Sequence, residues 1–110
     1  MKLPNPDRAI VNISKLRDYC LNPDHPRGQH KARVFKASLG WDSSKAPELR
    51  EALLAAAREA VARSVEQDEY GQRYVVDFVV PGPGGDVTIR SSWIVRRDED
   101  FPRFTSCYVV

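Results

Sequence analysis

Two tight turns separate three alternating segments near the C-terminal end of this 110-residue chain, and they limit its topology more than any other feature. From about residue 73 onward apolar residues recur at every second position, which is typical of half-buried strands. The predicted strands cover residues 73–80, 87–96 and 103–110, and the stretches PGPGGD and RDED lie between them. Connections this short leave no room for a crossover, so we predict an antiparallel meander in chain order.

The part of the chain before these strands follows a helical pattern instead. The stretch ISKLRDYCLN predicts a first helix with Ser14 as its N-cap, and Asn22-Pro23 should end it. A second short helix is predicted over about residues 30–38, with Gly40 as its stop. Both helices are short, so their stability should depend on packing against the rest of the chain.

The longest helix is predicted over residues 44–64. Its apolar stripe consists of Leu49, Leu53, Ala56, Ala57, Ala60 and Val61. Helices followed by a meander predict an α+β fold with the N-terminal helices packed on one face of a C-terminal antiparallel β-meander. The length fits a single domain over residues 1–110.

Composition and cysteine usage indicate a cytoplasmic globular protein. Hydrophobic residues make up 42% of the chain and charged residues 29%, which argues against disorder. The N-terminal stretch MKLPNPDRAI has no apolar leader, and no run of residues is apolar enough to span a membrane. Cys20 and Cys107 lie 87 positions apart without metal-like or redox-motif spacing, so we expect buried free thiols.

A basic loop that runs into the second helix is the strongest indication of a partner. The segment NPDHPRGQHKARVF, residues 22–35, contains two histidines, Lys31 and two arginines. Residues 1–40 hold eight Lys and Arg against three Asp and Glu, so the positive charge is concentrated at this end. Because helix N-termini prefer acids, a lysine there suits a bound anion, and the grouping fits phosphates. A merely solvated helix start is the alternative interpretation.

Several common chemistries have no counterpart in the sequence. It contains no phosphate-binding loop of the Walker type, no dinucleotide fingerprint and no G-x-S-x-G elbow. Two histidines separated by a Pro- and Gly-containing loop are a weak basis for a metal site, so neither a metal nor a cofactor is predicted. What remains is metal-free phosphodiester cleavage or binding alone.

Metal-free RNA cleavage needs a base, an acid and cations that stabilise the phosphorane, and the sequence contains each type. His25 or His30 could transfer protons. Lys31, Arg90 and Arg103 could supply charge, and Thr105 or Tyr108 could hold the phosphate. The alternative interpretations are that His25 only orders its loop and that Arg103 pairs with the acidic turn at residues 98–100.

Strand alternation predicts a polar face of the sheet near these residues. In the second predicted strand, Val87, Ile89, Trp93 and Val95 point to one side, and Thr88, Arg90, Ser92 and Arg96 point to the other. In the third, Arg103, Thr105 and Cys107 alternate with Phe104, Ser106 and Tyr108. We therefore expect one face to carry Arg90, Ser92, Arg103 and Thr105, although most faces of this kind are simply solvated.

Four motifs together give the chain a family resemblance. They are HPRGQHKARVF, DEYGQRYVVDF, RSSWIV and DFPRFTSCY, and the match runs from about Leu3 to the end. In combination they resemble a little-characterised bacterial family that occurs both as short stand-alone proteins and as C-terminal tips of polymorphic toxins. The order of helices and then a meander is similar to the barnase, EndoU and colicin-like ribonuclease group.

The resemblance implies a toxin-like effector that damages nucleic acid. It implies functional roles for His25, Lys31, Arg90, Trp93, Arg103, Thr105 and Tyr108. His30 lies where the toxin-tip relatives often have other residues, and Trp93 and Tyr108 could instead be packing residues. The implied partners are RNA, with tRNA as one candidate, and a small neighbouring antitoxin-like protein. No membrane partner is implied.

We therefore predict a metal-independent ribonuclease, the toxin half of a toxin–antitoxin pair. One alternative is a non-catalytic interaction module, a regulatory, antitoxin or immunity-type protein that binds a protein partner through its acidic helix and an exposed strand edge. Another is a binder of nucleotides or tRNA that does not cleave.

Overall fold

The fold is α+β, as predicted, with helices at the N-terminal end and an antiparallel sheet at the C-terminal end. The structure is a computed structural model that describes residues 1–110. The helices are α1 (Ile13–Lys15), continued by a π-helical segment (Leu16–Cys20), α2 (Gln29–Leu39) and α3 (Ala46–Glu59). The strands are β1 (Ala62–Asp68), β2 (Gly71–Gly82), β3 (Gly85–Arg96) and β4 (Pro102–Val109). Single 3-10 turns lie at Pro6–Arg8 and Ser43–Lys45.

The sheet is a meander with spatial order β1-β2-β3-β4, and all neighbouring strands are antiparallel. Gly82 pairs with Gly85 across the predicted PGPGGD turn. The predicted RDED turn joins β3 to β4, and Glu99 N–H donates to the Arg96 carbonyl within it. The predicted meander in chain order is therefore confirmed, with one strand added at its start.

That added strand corrects the predicted extent of the long helix. Helix α3 ends at Glu59 rather than near Ser64, and the following residues pair with β2. Val61, which continues the helical stripe in the sequence, is 68% exposed. The segment gains ladder hydrogen bonds to β2 by leaving the helix, and its β-branched Val65 suits a strand. Tertiary pairing therefore overrides a local pattern that was compatible with either structure.

The start of the first helix also differs from the prediction. Asn12, not Ser14, is the N-cap, and its side-chain oxygen accepts from the Ser14 N–H at 3.0 Å. The second helix agrees with its prediction and ends at Gly40, whose φ of 70° is the left-handed conformation that glycine tolerates. None of the helices combines the length and apolar character that a membrane crossing requires.

A β-bulge in β4 changes the predicted alternation of that strand. Ser92 pairs with Ser106 while Trp93 pairs with Phe104, so Thr105 has no partner of its own. As a result Phe104 and Cys107 both face the core, where they are 2% and 0% exposed. The prediction that Arg103, Thr105 and Cys107 share a face is therefore wrong, because an alternation of period two cannot anticipate an extra residue.

One core joins the helices to the inner face of the sheet. Leu49, Leu53, Ala56 and Ala57 of α3 pack with Val76, Ile89, Trp93, Phe104 and Cys107. Trp93 is fully buried, so the structure makes it a packing residue and not a platform for a base. Its Nε1–H donates to Ser91 Oγ at 2.9 Å, and Ser91 Oγ–H donates to the Val76 carbonyl at 2.7 Å. Cys20 and Cys107 are buried free thiols, as predicted.

The opposite side of the sheet, called the outer face below, carries most of the charged residues of the strands. Directly opposed residues of an antiparallel pair share a face. Across β2, β3 and β4 one outer row is Asp77, Arg90 and Tyr108, and a second is Arg73, Ile94 and Arg103. The predicted polar face therefore exists, and its cations are held in two rows by the strand register.

Candidate functional site

Lys31 reaches the outer face from the first turn of α2. Gly28 comes just before the helix and is buried against the Tyr19 carbonyl, where a Cβ would lie 2.3 Å from that oxygen. This close approach sets the start of α2 near β4, and Lys31 Nζ donates to Ser106 Oγ at 3.1 Å. Its ammonium lies 5.3 Å and 5.7 Å from the ring centroids of Tyr19 and Tyr108. These rings attract the cation without neutralising it.

His25 orders the loop before α2. Its Nδ1 accepts from the backbone N–H groups of Arg27 and Gly28 at 3.0 and 3.1 Å. The ring meets the Tyr19 ring edge-on, with centroids 4.7 Å apart. His25 is therefore connected to Lys31 only through Tyr19, and Nε2 is the nitrogen left for proton transfer. His30 is exposed on the same first turn of α2.

Arg90 is matched by a carboxylate on the neighbouring strand. Its Nε and Nη2 donate to the two Asp77 oxygens at 2.9 and 3.0 Å. The guanidinium lowers the pKa of Asp77, and Asp77, followed by the Tyr108 hydroxyl, raises the pKa of Arg90. Much of the Arg90 charge is thus neutralised within the sheet, and Arg90 is directly opposite Tyr108 on the outer face.

Arg103 is held in the same two-pronged way by the turn before β4. Its Nε and Nη2 each donate to a Glu99 oxygen at 2.8 Å, so the predicted pairing with the acidic turn is present. The Arg103 guanidinium lowers the pKa of Glu99, and Glu99 raises that of Arg103. The Phe101 ring lies between Arg103 and Arg8, at 5.2 and 5.0 Å from their guanidinium carbons. Arg103 therefore presents its guanidinium in a fixed orientation.

Thr105 lies between the two groups of cations. As the unpaired residue of the bulge, it donates its hydroxyl proton to the Ser92 carbonyl at 3.0 Å. That proton is used within the sheet, so the hydroxyl can accept a hydrogen bond but cannot readily donate one to a phosphate. Thr105 therefore lies at the predicted site, but its hydroxyl is less suited to holding a phosphate, which is the role predicted for it.

Two connected depressions surround Thr105. The smaller, the Lys31 pocket, has a volume of about 320 Å³ and is lined by Lys15, Tyr19, Lys31, Thr105 and Ser106. The larger, the basic cleft, has a volume of about 420 Å³, and Lys15 and Thr105 line both. The other residues of the basic cleft are Ile10, Asn12, Tyr70, Arg73, Ile94, Arg96, Arg103 and Phe104.

This surface is positively charged because only some of its cations are paired with carboxylates. Arg73 pairs with Asp68 at 2.8 Å and Arg103 pairs with Glu99. Lys15, Lys31 and Arg96 belong to none of the seven ion pairs. Lys15 Nζ has only a long hydrogen bond of 3.4 Å to the Phe104 carbonyl. Three cations without carboxylate partners along two adjoining depressions can bind a polyanion.

The structure brings the six candidate residues to one side of the molecule but not into one pocket. Lys31 and Thr105 share the Lys31 pocket, and Thr105 and Arg103 share the basic cleft. Tyr108 lies beside Lys31 and directly opposite Arg90, and the His25 ring contacts the Tyr19 ring. No group of three or more His, Cys, Asp or Glu side chains comes together in a way that could hold a metal.

Sequence reasoning missed several residues of this surface. Lys15, Tyr19, Tyr70, Arg73 and Arg96 all line it. Arg73 could have been found, because it is spaced by two residues from Val75 and Asp77 on a predicted strand and so shares their face. Tyr70 and Lys15 come from a turn and a short helix whose positions depend on tertiary packing.

These features define an α+β domain with a four-stranded meander and a basic outer face. The profile of the family described as "Domain of unknown function (DUF6883)" matches residues 2–110, and the chain belongs to this family. A comparison with curated proteins gives no match. The family description names no activity, so the function must be argued from the surface itself.

Proposed function

We propose that this domain is a metal-independent ribonuclease, the toxin half of a toxin–antitoxin pair. The observation that carries the proposal is the set of unmatched cations around Thr105. Lys31 and Lys15 have no carboxylate partner, and Arg103 is held in place beside them. Cations grouped in this way are what a developing phosphorane requires, and an RNA strand supplies the phosphates.

The proposed reaction uses the RNA as its own nucleophile. A base removes the proton of a 2′-hydroxyl, whose oxygen attacks the adjacent phosphorus. The bond to the 5′-oxygen breaks, and an acid protonates that oxygen. The products are a 2′,3′-cyclic phosphate and a 5′-hydroxyl. Lys31 and Arg103 would stabilise the dianionic phosphorane between these steps.

The candidates for proton transfer are His25 Nε2 and the Tyr108 hydroxyl. His25 Nδ1 is occupied by two backbone N–H groups, which orients the ring and leaves Nε2 as the reactive nitrogen. Tyr108 is 37% exposed, its ring centroid lies 5.7 Å from Lys31 Nζ, and it is directly opposite Arg90 in the sheet. Since Asp77 matches the charge of Arg90, we assign Arg90 to positioning Tyr108. Thr105 would accept a hydrogen bond from a sugar hydroxyl.

An assay with purified domain and a defined RNA tests the chemistry. We expect 2′,3′-cyclic phosphate ends, identified by mass spectrometry, and unchanged rates when a chelator is added. A substrate with a 2′-deoxy group at the scissile position should resist cleavage, because the internal nucleophile is missing. Chelator-sensitive cleavage, or cleavage of the 2′-deoxy substrate at that bond, would overturn the mechanism.

Inducible expression in a bacterial host tests the proposed toxin role. The domain should be expressed alone and together with the neighbouring open reading frame, followed by analysis of total RNA. Growth arrest with discrete RNA fragments, relieved by the neighbour, supports a toxin with an antitoxin-like partner. Growth arrest that the neighbour fails to relieve would contradict the pairing.

A non-catalytic interaction module remains the second candidate because β1 is a free edge strand. It pairs with β2 on one side only, and five of its seven residues are exposed, among them Val65. Such an edge can accept a strand from a partner protein. Harmless expression with intact RNA would favour this function over the ribonuclease.

A further inference from the structure

The basic cleft contains an apolar floor that phosphate binding does not require. Ile94 lies on the outer face of the sheet yet is only 7% exposed. Ile10 borders it from the N-terminal segment, which forms a bridge to Arg103 at the edge of β4. An apolar floor beneath a cationic rim is typical of sites that bind a flat ring bearing an anionic group.

Two arginines stand on either side of this floor. Arg73 is directly opposite Ile94 on β2, and Arg103 is directly opposite it on β4. Asp68 and Glu99 hold the two guanidinium groups at 2.8 Å. Because these orientations are already set, each arginine can offer a planar face or a free N–H with little loss of side-chain entropy.

Tyr70 forms an exposed wall of the cleft on a fixed backbone. Its N–H donates to Asp68 Oδ1 at 2.9 Å, and its carbonyl accepts from the Arg97 N–H at 3.2 Å. The next residue, Gly71, has φ of 150°, and a Cβ there would lie 2.1 Å from the Val95 carbonyl oxygen. The turn is therefore pressed against the end of β3, while the Tyr70 side chain stays exposed (63% for the residue).

We propose that the basic cleft is a subsite for one unpaired nucleotide of the RNA substrate, next to the phosphate held in the Lys31 pocket. Its base would lie over Ile94 and stack on Tyr70, and Lys15 and Arg96 would bind its phosphate. The inference rests on the proposed ribonuclease and names its substrate class as single-stranded RNA. In a duplex each base already stacks on its neighbours, so its face cannot reach an aromatic side chain.

Binding of a non-cleavable ligand tests the subsite without relying on catalysis. The probe is a short fluorescent single-stranded RNA with 2′-methoxy groups, measured by anisotropy at fixed salt. We expect tighter binding than to a duplex of the same sequence. Tyr70→Ala should weaken binding about tenfold by removing a stacking platform. Tyr70→Phe should bind within about twofold of the parent because the ring remains.

Two further variants supply a control and a second, independent test of the subsite. Val79→Ala changes an exposed residue toward the far end of β2 and should leave affinity unchanged. Arg96→Gln removes an exposed cation without an ion pair, so it should fold normally and weaken binding severalfold. If Tyr70→Ala fails to fold, loss of affinity in Arg96→Gln supports the subsite, and retained affinity overturns it.

The outcomes separate this inference from the proposed function. If the domain cleaves RNA but binds duplex as tightly, or Tyr70→Ala binds like the parent, the subsite is wrong and the ribonuclease stands. If the probe binds through Tyr70 but natural RNA is not cleaved, the ribonuclease is wrong and the domain binds single strands. Absence of binding overturns the subsite.

Discussion

Lys31 shows how packing can hold a cation without giving it a carboxylate partner. Its ammonium is half-buried between two tyrosine rings and Ser106, with no carboxylate to match its charge. In this position an approaching phosphate would be its first anionic partner. The neighbouring cations differ in this respect, because Arg90 and Arg103 each hold a carboxylate with two hydrogen bonds.

If the domain cleaves RNA, Lys31→Ala should lower the cleavage rate by about 10²-fold or more. Loss of one charge-stabilising donor raises a barrier by about 3 kcal/mol. Initial rates on a defined RNA measure the effect. Lys36→Ala is the control, because Lys36 is exposed on the same helix and pairs with Asp42 at 3.6 Å. Full activity of Lys31→Ala would mean that the chemistry occurs elsewhere.

The ion pair between Glu99 and Arg103 predicts how the stability of the fold changes with pH. Because Arg103 lowers the pKa of Glu99, the pair stabilises the fold above the ordinary glutamate pKa. This stabilisation is lost as the pH falls through the lowered pKa. We therefore expect Glu99→Gln to unfold at lower urea concentration than the parent at neutral pH, and the two midpoints should converge in acid.

Glu69→Gln is the control for that measurement, since Glu69 is exposed and belongs to none of the ion pairs. Its urea midpoint should follow that of the parent at every pH. A difference between Glu99→Gln and the parent that stays constant with pH would contradict the linkage.

At the scale of elements, β3 separates the buried residues of the core from the residues of the outer face. Its inner residues Ile89, Ser91 and Trp93 are all fully buried, and its outer residues carry Arg90 and the cleft floor. The bulge in β4 then keeps Phe104 and Cys107 in the core while Arg103 and Tyr108 stay outside. The one unpaired residue, Thr105, thus allows β4 to place apolar side chains in the core and polar side chains on the outer face.

Ser91→Ala should destabilise the fold by about 1–3 kcal/mol, because it leaves the buried Trp93 Nε1–H without an acceptor. The free energy of unfolding in urea measures this change. Ser92→Ala is a matched control on the next position, where the side chain forms no hydrogen bond and is only half-buried, and it should stay within about 0.5 kcal/mol. Equal effects of the two substitutions would show that the buried hydrogen bond contributes nothing.

At the scale of the whole molecule, the two cysteines mark where the N-terminal helices meet the last strand. Cys20 ends the π-helical segment and Cys107 lies on β4, and both are fully buried. The neighbouring Cys107 thiol lowers the pKa of Cys20 to about 7, and the Cys20 thiol together with burial raises the pKa of Cys107. The thiols therefore connect the two halves of the core through packing.

We expect two free thiols when the protein is unfolded without a reductant and titrated with a thiol reagent. In the folded protein both thiols should react slowly with this reagent, because they are buried. Replacing both by Ala should lower the unfolding midpoint, since buried volume is lost, but unfolding should remain one cooperative transition. A count of zero would show a disulfide, and two separate transitions would show that the halves are independent domains.

Local sequence was sufficient for much of the fold. The PGPGGD and RDED turns determined the meander, Gly40 determined the end of α2, and the Leu and Ala spacing identified the buried face of α3. These features depend on backbone conformations and periodicities within a few residues. For the same reason the sequence predicted Lys31 and Arg103 as candidate phosphate-binding residues but could not say what surrounds them.

Tertiary structure decided the features that depend on distant partners. Residues 62–68 became a strand because β2 was available to pair with them, and the bulge at Thr105 exists only in register with β3. Lys31 meets Ser106 across 75 positions of sequence. The charge of each arginine is likewise set by its neighbours, since Asp77 pairs with Arg90 while Arg96 forms no ion pair. Such contacts arise from packing, and no local pattern encodes them.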